Sequence, residues 1–241
     1  MSKIAKFKIF RFDPESDKAP RFDSVDVPYA DGMTILDALF HIQDHIDPSI
    51  AFRFSCRAGV CGSCALHIDG KYQLACETQA SLGLSKRVTI RPLAHLPIIR
   101  DLVVEMESFW KQYKRIIPYL LPGEPPPEKE RIQTASDRLK LDVLVDCILC
   151  ASCHASCPMT ASHEDYIGPA ALVKTNRFAV DSRDDALRQR LNIVSDDKGV
   201  WRCHTVFNCS EACPKDIDPA GSIANLKRLS TRHYLLKPDS R

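Results

Sequence analysis

The sequence predicts an α+β chain in two parts, a sheet-bearing half followed by a mostly helical one. Three observations carry that expectation. Apolar and polar residues alternate over 4–12 and 22–29, the two-residue period of half-buried strands. Beyond residue 135, apolar positions return every three or four residues in several short stretches. Seven of the eleven cysteines fall among those helical stretches, in two runs that each end in Cys-Pro.

The first two strands, with turn signals at Asp13-Pro14 and Asp31-Gly32, should form a hairpin. Thr34 can cap a helix in which Ile35, Leu36, Leu39, Ile42 and Ile46 recur at helical spacing, ending before Pro48. Residues 52–76 hold a cysteine-rich loop and a short hairpin across Asp69-Gly70, and 87–92 reads as one more strand. A first domain over 1–103 results. Residues 99–116 read as a connecting helix, and the prolines of 118–127 restrict the backbone to extended and turn shapes, so 104–135 is expected to connect. Helices over 136–145, 168–177, 184–191 and 219–229 then build a second domain, 136–241. Within it the cysteine run of 147–158 recurs at 203–214, which marks a duplicated unit.

Composition narrows the function. The 241 residues allow one or two domains, and 44% hydrophobic with 27% charged residues is near the globular average. Lys plus Arg is 33 against 31 Asp plus Glu, with no basic stripe, so nucleic acid is not an expected partner. Residues 1–17 lack the pattern of a secretory signal. Nowhere do about 18 apolar residues run together, so a link to a membrane must go through partners. An odd number of cysteines in tight clusters suits thiolate ligation of metal better than a closed set of disulfides.

Cys56, Cys61 and Cys64, with Cys76 farther on, follow the C-x4-C-x2-C plus fourth-Cys spacing of plant-type [2Fe-2S] sites. Gly59 and Gly62 would let the loop curl close enough to aim N–H groups at the sulfides of the cluster. A four-cysteine zinc site is the alternative, although zinc more often takes two separated C-x2-C pairs. Cys147, Cys150, Cys153 and Cys157-Pro158 form the bacterial run C-x2-C-x2-C-x3-C-P, whose fourth cysteine serves the other cluster. The second run, Cys203, Val206, Cys209 and Cys213-Pro214, keeps that spacing with Val206 in place of the middle ligand. Exchanging fourth ligands gives Cys147, Cys150, Cys153 and Cys213 to a [4Fe-4S] cluster, leaving Cys157, Cys203 and Cys209 for a [3Fe-4S] cluster. A [4Fe-4S] cluster with one open iron, as a dehydratase needs, is the alternative at that last site. All eleven cysteines are then ligands, no catalytic residue is expected in the chain, and one-electron carriage follows.

With both motif sets in place, the chain resembles the iron-sulfur subunit of succinate dehydrogenase and fumarate reductase over essentially its full length. The resemblance is carried by the segment Phe54-Ser-Cys-Arg-Ala-Gly-Val-Cys-Gly-Ser-Cys64, by Ile167-Gly-Pro-Ala-Ala171 and by Cys213-Pro-Lys-Asp-Ile-Asp-Pro219. It implies a β-grasp ferredoxin domain followed by an α-helical ferredoxin domain. It also implies a succinate:quinone oxidoreductase of the tricarboxylic acid cycle and respiratory chain. There electrons leave FAD on a flavoprotein subunit and pass [2Fe-2S], [4Fe-4S] and [3Fe-4S] to a quinone held against membrane-anchor subunits, which in some members carry haem. The implied location is peripheral, on the cytoplasmic face of a prokaryotic cell membrane. Residues carried over to the quinone side are Pro158, His204, Val206 and Lys227. His204 and Lys227 have plainer readings, as a loop polar residue and a charge on a solvated helix face. His41 and His45, four apart with no third ligand, read as a surface helix pair.

One departure bears on the quinone. Ubiquinone-linked members typically carry a tryptophan pair after the Cys-Pro, whereas Met159, Thr160, Ala161 and Ser162 follow here. That tract looks more like fumarate reductases and menaquinone-linked dehydrogenases, and menaquinone is favoured; His204 looks more like the dehydrogenases. Succinate dehydrogenase is the leading expectation and quinol:fumarate reductase the alternative. No G-x-G-x-x-G fingerprint is present, so FAD is expected on a partner. The small subunit of a molybdenum hydroxylase shares the first spacing but continues into a second [2Fe-2S] domain, and a zinc-stabilised interaction module does not explain Val206 or the crossed Cys-Pro runs.

Overall fold

The computed structural model describes residues 3–123 and 126–235. Part of the expected connector, residues 124 and 125, and the last six residues of the expected second domain lie outside them. The described chain divides into two packing units. One takes in the residues up to Met106 together with Ile148–Ser156, the other Glu107–Cys147 and the residues from Cys157 onward. The ranges read from sequence, 1–103 and 136–241, divide the chain differently, because Ile148–Ser156 sits with the first unit, where helix α5 (Ser152–Ala155) packs on strand β4 (Lys71–Leu74).

In the first unit, β1 (Ile4–Arg11) and β2 (Arg21–Pro28) pair antiparallel, and Ala5, Phe7 and Ile9 are buried while Lys6 and Lys8 face solvent, as the alternation requires. β1 also pairs in parallel with β5 (Val88–Arg91), Phe7 facing Val88 and Ile9 facing Ile90. A parallel pair needs a long crossover, and here it contains α1 (Ile35–His45) and the cysteine loop. β3 (Ala65–Ile68) joins β5 and turns at Asp69-Gly70 into β4, giving the order β2-β1-β5-β3-β4. α1 starts in the expected capping box: Thr34 Oγ1 accepts from Asp37 N at 3.1 Å, and Asp37 accepts from Thr34 N at 2.9 Å. Ile35, Leu36, Leu39 and Ile42 are buried, each contributing about 1.5–3 kcal/mol.

The expected helix over 99–116 begins only at α3 (Glu107–Arg115). Its first part is a two-stranded ladder, β6 (Ile98–Arg100) with β7 (Val103–Val104), folded about Asp101 at φ 48°. The reason is a buried hub. Asp101 accepts from Arg11 Nε, Phe12 N and Ala51 N, all at 3.0 Å, and Arg11 also binds Asp47 and Ser49. A continuous helix would withdraw that carboxylate and leave Arg11 buried without its main partner.

The second unit is helical. α7 (Pro169–Ala179) and α10 (Pro219–Leu235) pack together over Leu172, Leu191, Val194, Val200, Ile223 and Leu226. α10 extends six residues beyond the expected end. The helix expected over 136–145 is shorter, α4 (Ala135–Leu139), and breaks at Val143, φ 67°, before a 3₁₀ turn at Leu144–Asp146. The one expected over 184–191 is α8 (Leu187–Val194), displaced because Asp184 is spent outside the helix. Arg190, fully buried, donates from all its nitrogens: to Asp184 Oδ1 and Oδ2 at 3.0 and 2.6 Å, and to the carbonyls of Ile116, Ile117 and Tyr119 at 3.1, 2.6 and 2.7 Å. Short helices α6 (Pro158–Ser162) and α9 (Asn208–Glu211) complete this unit, and α2 (Leu82–Ser85) packs on β1 in the first. Among the described residues no helix is long and apolar enough to cross a membrane.

Two outcomes follow from these hubs. Arg190→Lys keeps the charge but not the planar fork, strands buried carbonyls, and is expected to lower stability by about 3 kcal/mol in denaturant unfolding. Asp47 is held down to about 2 by hydrogen bonds from Ser49 and then Arg11. With its folded pKa below the unfolded one, its contribution is present above about pH 4 and lost as pH falls through about 2. Asp47→Asn should therefore flatten the stability profile across that window, read from unfolding midpoints at a series of pH values.

Candidate metal centres

Cys56, Cys61, Cys64 and Cys76 lie in the first unit, three on one loop and the fourth just past β4. The loop turns through Arg57, Gly59 and Gly62 at φ 56°, 67° and 73°. These left-handed residues fold the backbone over the sulfurs. Ala58, Val60 and Cys61 N–H donate to Cys56 Sγ at 3.4, 3.3 and 3.3 Å, and Gly59 N–H donates to Cys76 Sγ at 3.3 Å. Such donors would delocalise the charge of a cluster bound through these sulfurs. A Cβ at Gly59 would strike the Glu77 carboxylate at 2.1 Å. One at Gly62 would come within 2.8 Å of Cys150 Cβ and 2.9 Å of its Cα, so the loop packs directly on a cysteine of the next run.

The two later runs share their backbone as well as their spacing. Each follows a 3₁₀ turn, Leu144–Asp146 or Val200–Arg202, and each has left-handed residues two and four places after its first cysteine: Leu149 and Ala151 at 55° and 63°, Thr205 and Phe207 at 57° and 66°. A short helix opens next, α5 in one and α9 in the other, and the fourth cysteine meets its proline. The duplicated unit read from sequence is therefore a duplicated fold. Of the expected [4Fe-4S] ligands, Cys150 and Cys153 belong to the first unit and Cys147 and Cys213 to the second.

Cys157, Cys203 and Cys209 all belong to the second unit and line one cavity. Pro158, His204 and Val206 line it too, beside Met159, Tyr166 and Phe207, with Ala220 and Ile223 of α10 as its floor. Val206 is 51% exposed at the rim, where a fourth thiolate would stand. Lys227 is placed differently: its Nζ donates to the Cys203 carbonyl at 2.8 Å, behind the ligand loop. His41 and His45 stack on the surface of α1 at 4.5 Å.

Electrostatics test whether these thiols suit iron. Burial pushes Cys64 up to about 12 and Cys209 to about 11, and raises Cys157. At Cys61, hydrogen bonds from Ser63 and Cys56 overcome burial and bring the thiol down to about 6. Buried thiols of this kind ionise beside a strong cation, which iron supplies. Among the described residues no group of three or more His, Cys, Asp or Glu side chains is placed to hold a single metal ion, so the cluster reading rests on ligand spacing and on the inward N–H groups. Sequence reasoning did not single out Tyr166, Phe207 or Ile223 at the cavity, nor the contact of Ser210 with Asp218. Their only local signal is adjacency to a cysteine or to the Ile167-Gly-Pro and Ile-Asp-Pro segments.

Residues 6–111 match the 2Fe-2S iron-sulfur cluster binding domain and residues 140–214 the 4Fe-4S dicluster domain. Over 94% of its length the chain is 43% identical to the succinate dehydrogenase iron-sulfur subunit of Paracoccus denitrificans, covering 88% of that protein. It is 46% identical over 92% of its length to the mitochondrial succinate dehydrogenase [ubiquinone] iron-sulfur subunit 1 of Oryza sativa subsp. japonica, covering 81% of it. A solved chain of the Mycobacterium smegmatis Sdh1 complex in the apo form superposes with a TM-score of 0.86 at 28% identity, covering 97% of this chain and 98% of that one. These relatives bear the dehydrogenase name, and the dehydrogenase reading stands over the fumarate reductase alternative. The chain belongs to the succinate dehydrogenase iron-sulfur subunits, electron-transfer components of that oxidoreductase.

Proposed function

We propose that this subunit carries electrons from FAD on a flavoprotein partner to a quinone at a membrane anchor, through three clusters held in its own chain. Cys56, Cys61, Cys64 and Cys76 would hold [2Fe-2S], Cys147, Cys150, Cys153 and Cys213 would hold [4Fe-4S], and Cys157, Cys203 and Cys209 would hold [3Fe-4S]. The clusters, when bound, supply one-electron carriage. The observation that carries the reading is the turn of four backbone N–H groups onto the sulfurs of the first site; in the second unit Cys157, Cys203 and Cys209 line one cavity together with Val206.

The chain's own residues do the positioning. Ala58, Gly59, Val60 and Cys61 turn their N–H groups onto the sulfurs of the first site. Gly62 permits that loop to pack on Cys150. At the exit, Pro158, His204 and Val206 line a cavity beside Met159, Phe207 and Ile223 whose largely apolar surface suits a quinone ring. Lys227 braces Cys203 from behind. Menaquinone is the quinone favoured by the Met159–Ser162 tract; the ubiquinone in the rice relative's name favours the other, and extraction from the purified complex decides. A β-grasp first domain over 1–103, a connector over 104–135 and a helical ferredoxin domain over 136–241 describe the same chain, seated through anchor subunits on the cytoplasmic face of the cell membrane. Haem, where present, would belong to the anchor.

The test is electron paramagnetic resonance of the complex purified from membranes with its partners. The oxidised sample should show the three-iron signal, and its absence would overturn the assignment of Cys157, Cys203 and Cys209. Val206→Cys should complete a fourth ligand, removing most of that oxidised signal and adding a reduced [4Fe-4S] signal. Gly62→Ala should keep the [2Fe-2S] signal but slow succinate-driven reduction of the later clusters by about tenfold or more, because the added methyl forces the loop away from Cys150.

A further inference from the structure

Cys76 is the one expected ligand of the first site that lies outside the cysteine loop, and Glu77 follows it directly. The Glu77 side chain turns back over that loop. A Cβ built on Gly59 would fall 2.1 Å from Glu77 Oε1 and 2.8 Å from Oε2, so the carboxylate lies against the Gly59 backbone and fills the space a side chain there would need. The N–H of the same Gly59 donates to Cys76 Sγ at 3.3 Å. With covalent bonds of about 1.5 Å joining these atoms, Oε1 stands within about 8.5 Å of the sulfur.

The segment that carries both residues is gripped on each side. Ala75 N–H donates to the carbonyl of Cys64, another expected ligand of the site, at 3.0 Å. The carbonyls of Ala75 and Thr78 accept Leu36 N–H and Ile35 N–H at 2.9 and 2.8 Å, which fastens the segment to the first turn of α1. Within it, the Leu74 carbonyl accepts Glu77 N–H at 3.1 Å and the Thr78 hydroxyl at 2.9 Å. Cys76 is buried and Glu77 is exposed, so this turn presents a thiol inward and a carboxylate along the outer edge of the loop. Gly59, buried and at φ 67°, lets the carboxylate come this close.

We propose that Glu77 tunes the [2Fe-2S] cluster: its carboxylate charge, held against the ligand loop, makes that cluster harder to reduce. The direction follows from charge. Taking up one electron makes the cluster more negative by one unit, and a fixed negative charge at this distance repels that electron. Between the effective dielectric constants of a protein surface and of water, the repulsion is on the order of a tenfold change in the reduction equilibrium. The N–H groups of Ala58, Gly59, Val60 and Cys61 act the other way, since donors to the sulfurs stabilise the reduced form. Glu77 offsets part of their pull, so an electron arriving from FAD is passed on and not trapped at the first cluster. The inference rests on the proposed ligand set, with Cys76 bound to iron.

The test is a redox titration of the [2Fe-2S] signal, read by electron paramagnetic resonance in the complex purified with its partners, in wild type, Glu77→Gln, Glu77→Ala, Glu77→Asp and Glu77→Lys. Glu77→Gln and Glu77→Ala both remove the charge, and each should favour reduction by about tenfold, about 59 mV upward for a one-electron couple. Glu77→Lys reverses the charge and should move the midpoint about twice as far. Glu77→Asp keeps the charge and should stay closer to wild type than to Glu77→Gln. The midpoint is read from the fraction of the signal reduced, so lower occupancy in a variant does not imitate the shift. A midpoint unchanged or lowered in both Glu77→Gln and Glu77→Ala, a Glu77→Lys midpoint no higher than that of Glu77→Gln, or a Glu77→Asp midpoint as high as that of Glu77→Gln would overturn the inference and leave the ligand set standing. A reduced wild-type complex with no [2Fe-2S] signal would overturn the ligand set, and the inference with it.

Discussion

The cysteine loops depend on one backbone demand: N–H groups turn inward onto sulfur, at Ala58, Gly59, Val60 and Cys61 in the first loop and at Thr205 in the last. That demand forces left-handed conformations on residues that resist them. Arg57, Leu149, Ala151, Thr205 and Phe207 all carry side chains at positive φ, each at a cost of about 1–2 kcal/mol. Five such residues strain the chain by an amount comparable with a domain's whole net stability of about 5–15 kcal/mol. They persist because the surrounding structure over-determines them. The five-stranded sheet and capped α1 frame the first loop, and α7 and α10 frame the last.

The two buried arginines show how that framing is extended beyond the apolar core. Arg11 gathers Asp47, Ser49 and Asp101, drawing the end of β1 to segments 36 to 90 positions away in sequence. Arg190 saturates its guanidinium on Asp184 and on three carbonyls of the stretch that leads into the proline-rich connector. Arg11 fixes the turn between β6 and β7, and Arg190 a stretch of backbone that has no ladder or helix of its own to hold it. A buried charge that loses its partners is far more costly than one never buried, so both hubs lock their segments in a single arrangement.

These hubs also explain what the sequence could and could not disclose. Local chemistry was legible: Thr34 and Asp37 spell a capping box, Asp69-Gly70 a hairpin turn, and the two Cys-Pro runs a duplication that extends to the φ angles of Leu149, Ala151, Thr205 and Phe207. The segment 98–104 was not, because its apolar residues suit helix or strand alike and the deciding partner, Arg11, is distant in sequence. The same holds for the delayed start of α8, set by Asp184 turning to Arg190. At the candidate sites the cysteines announce themselves by spacing. Tyr166 and Ile223 do not, since their place at the cavity depends on where α7 and α10 begin.

Membership of the succinate dehydrogenase iron-sulfur subunits gives the odd cysteine count its meaning, because a run with valine in a ligand position suits a terminal site with three thiolates. The most direct measurement is the iron and acid-labile sulfide content of the protein assembled with its partners. Two-, four- and three-iron clusters together predict about nine irons and ten sulfides per chain. Stoichiometric zinc with no sulfide would contradict the account.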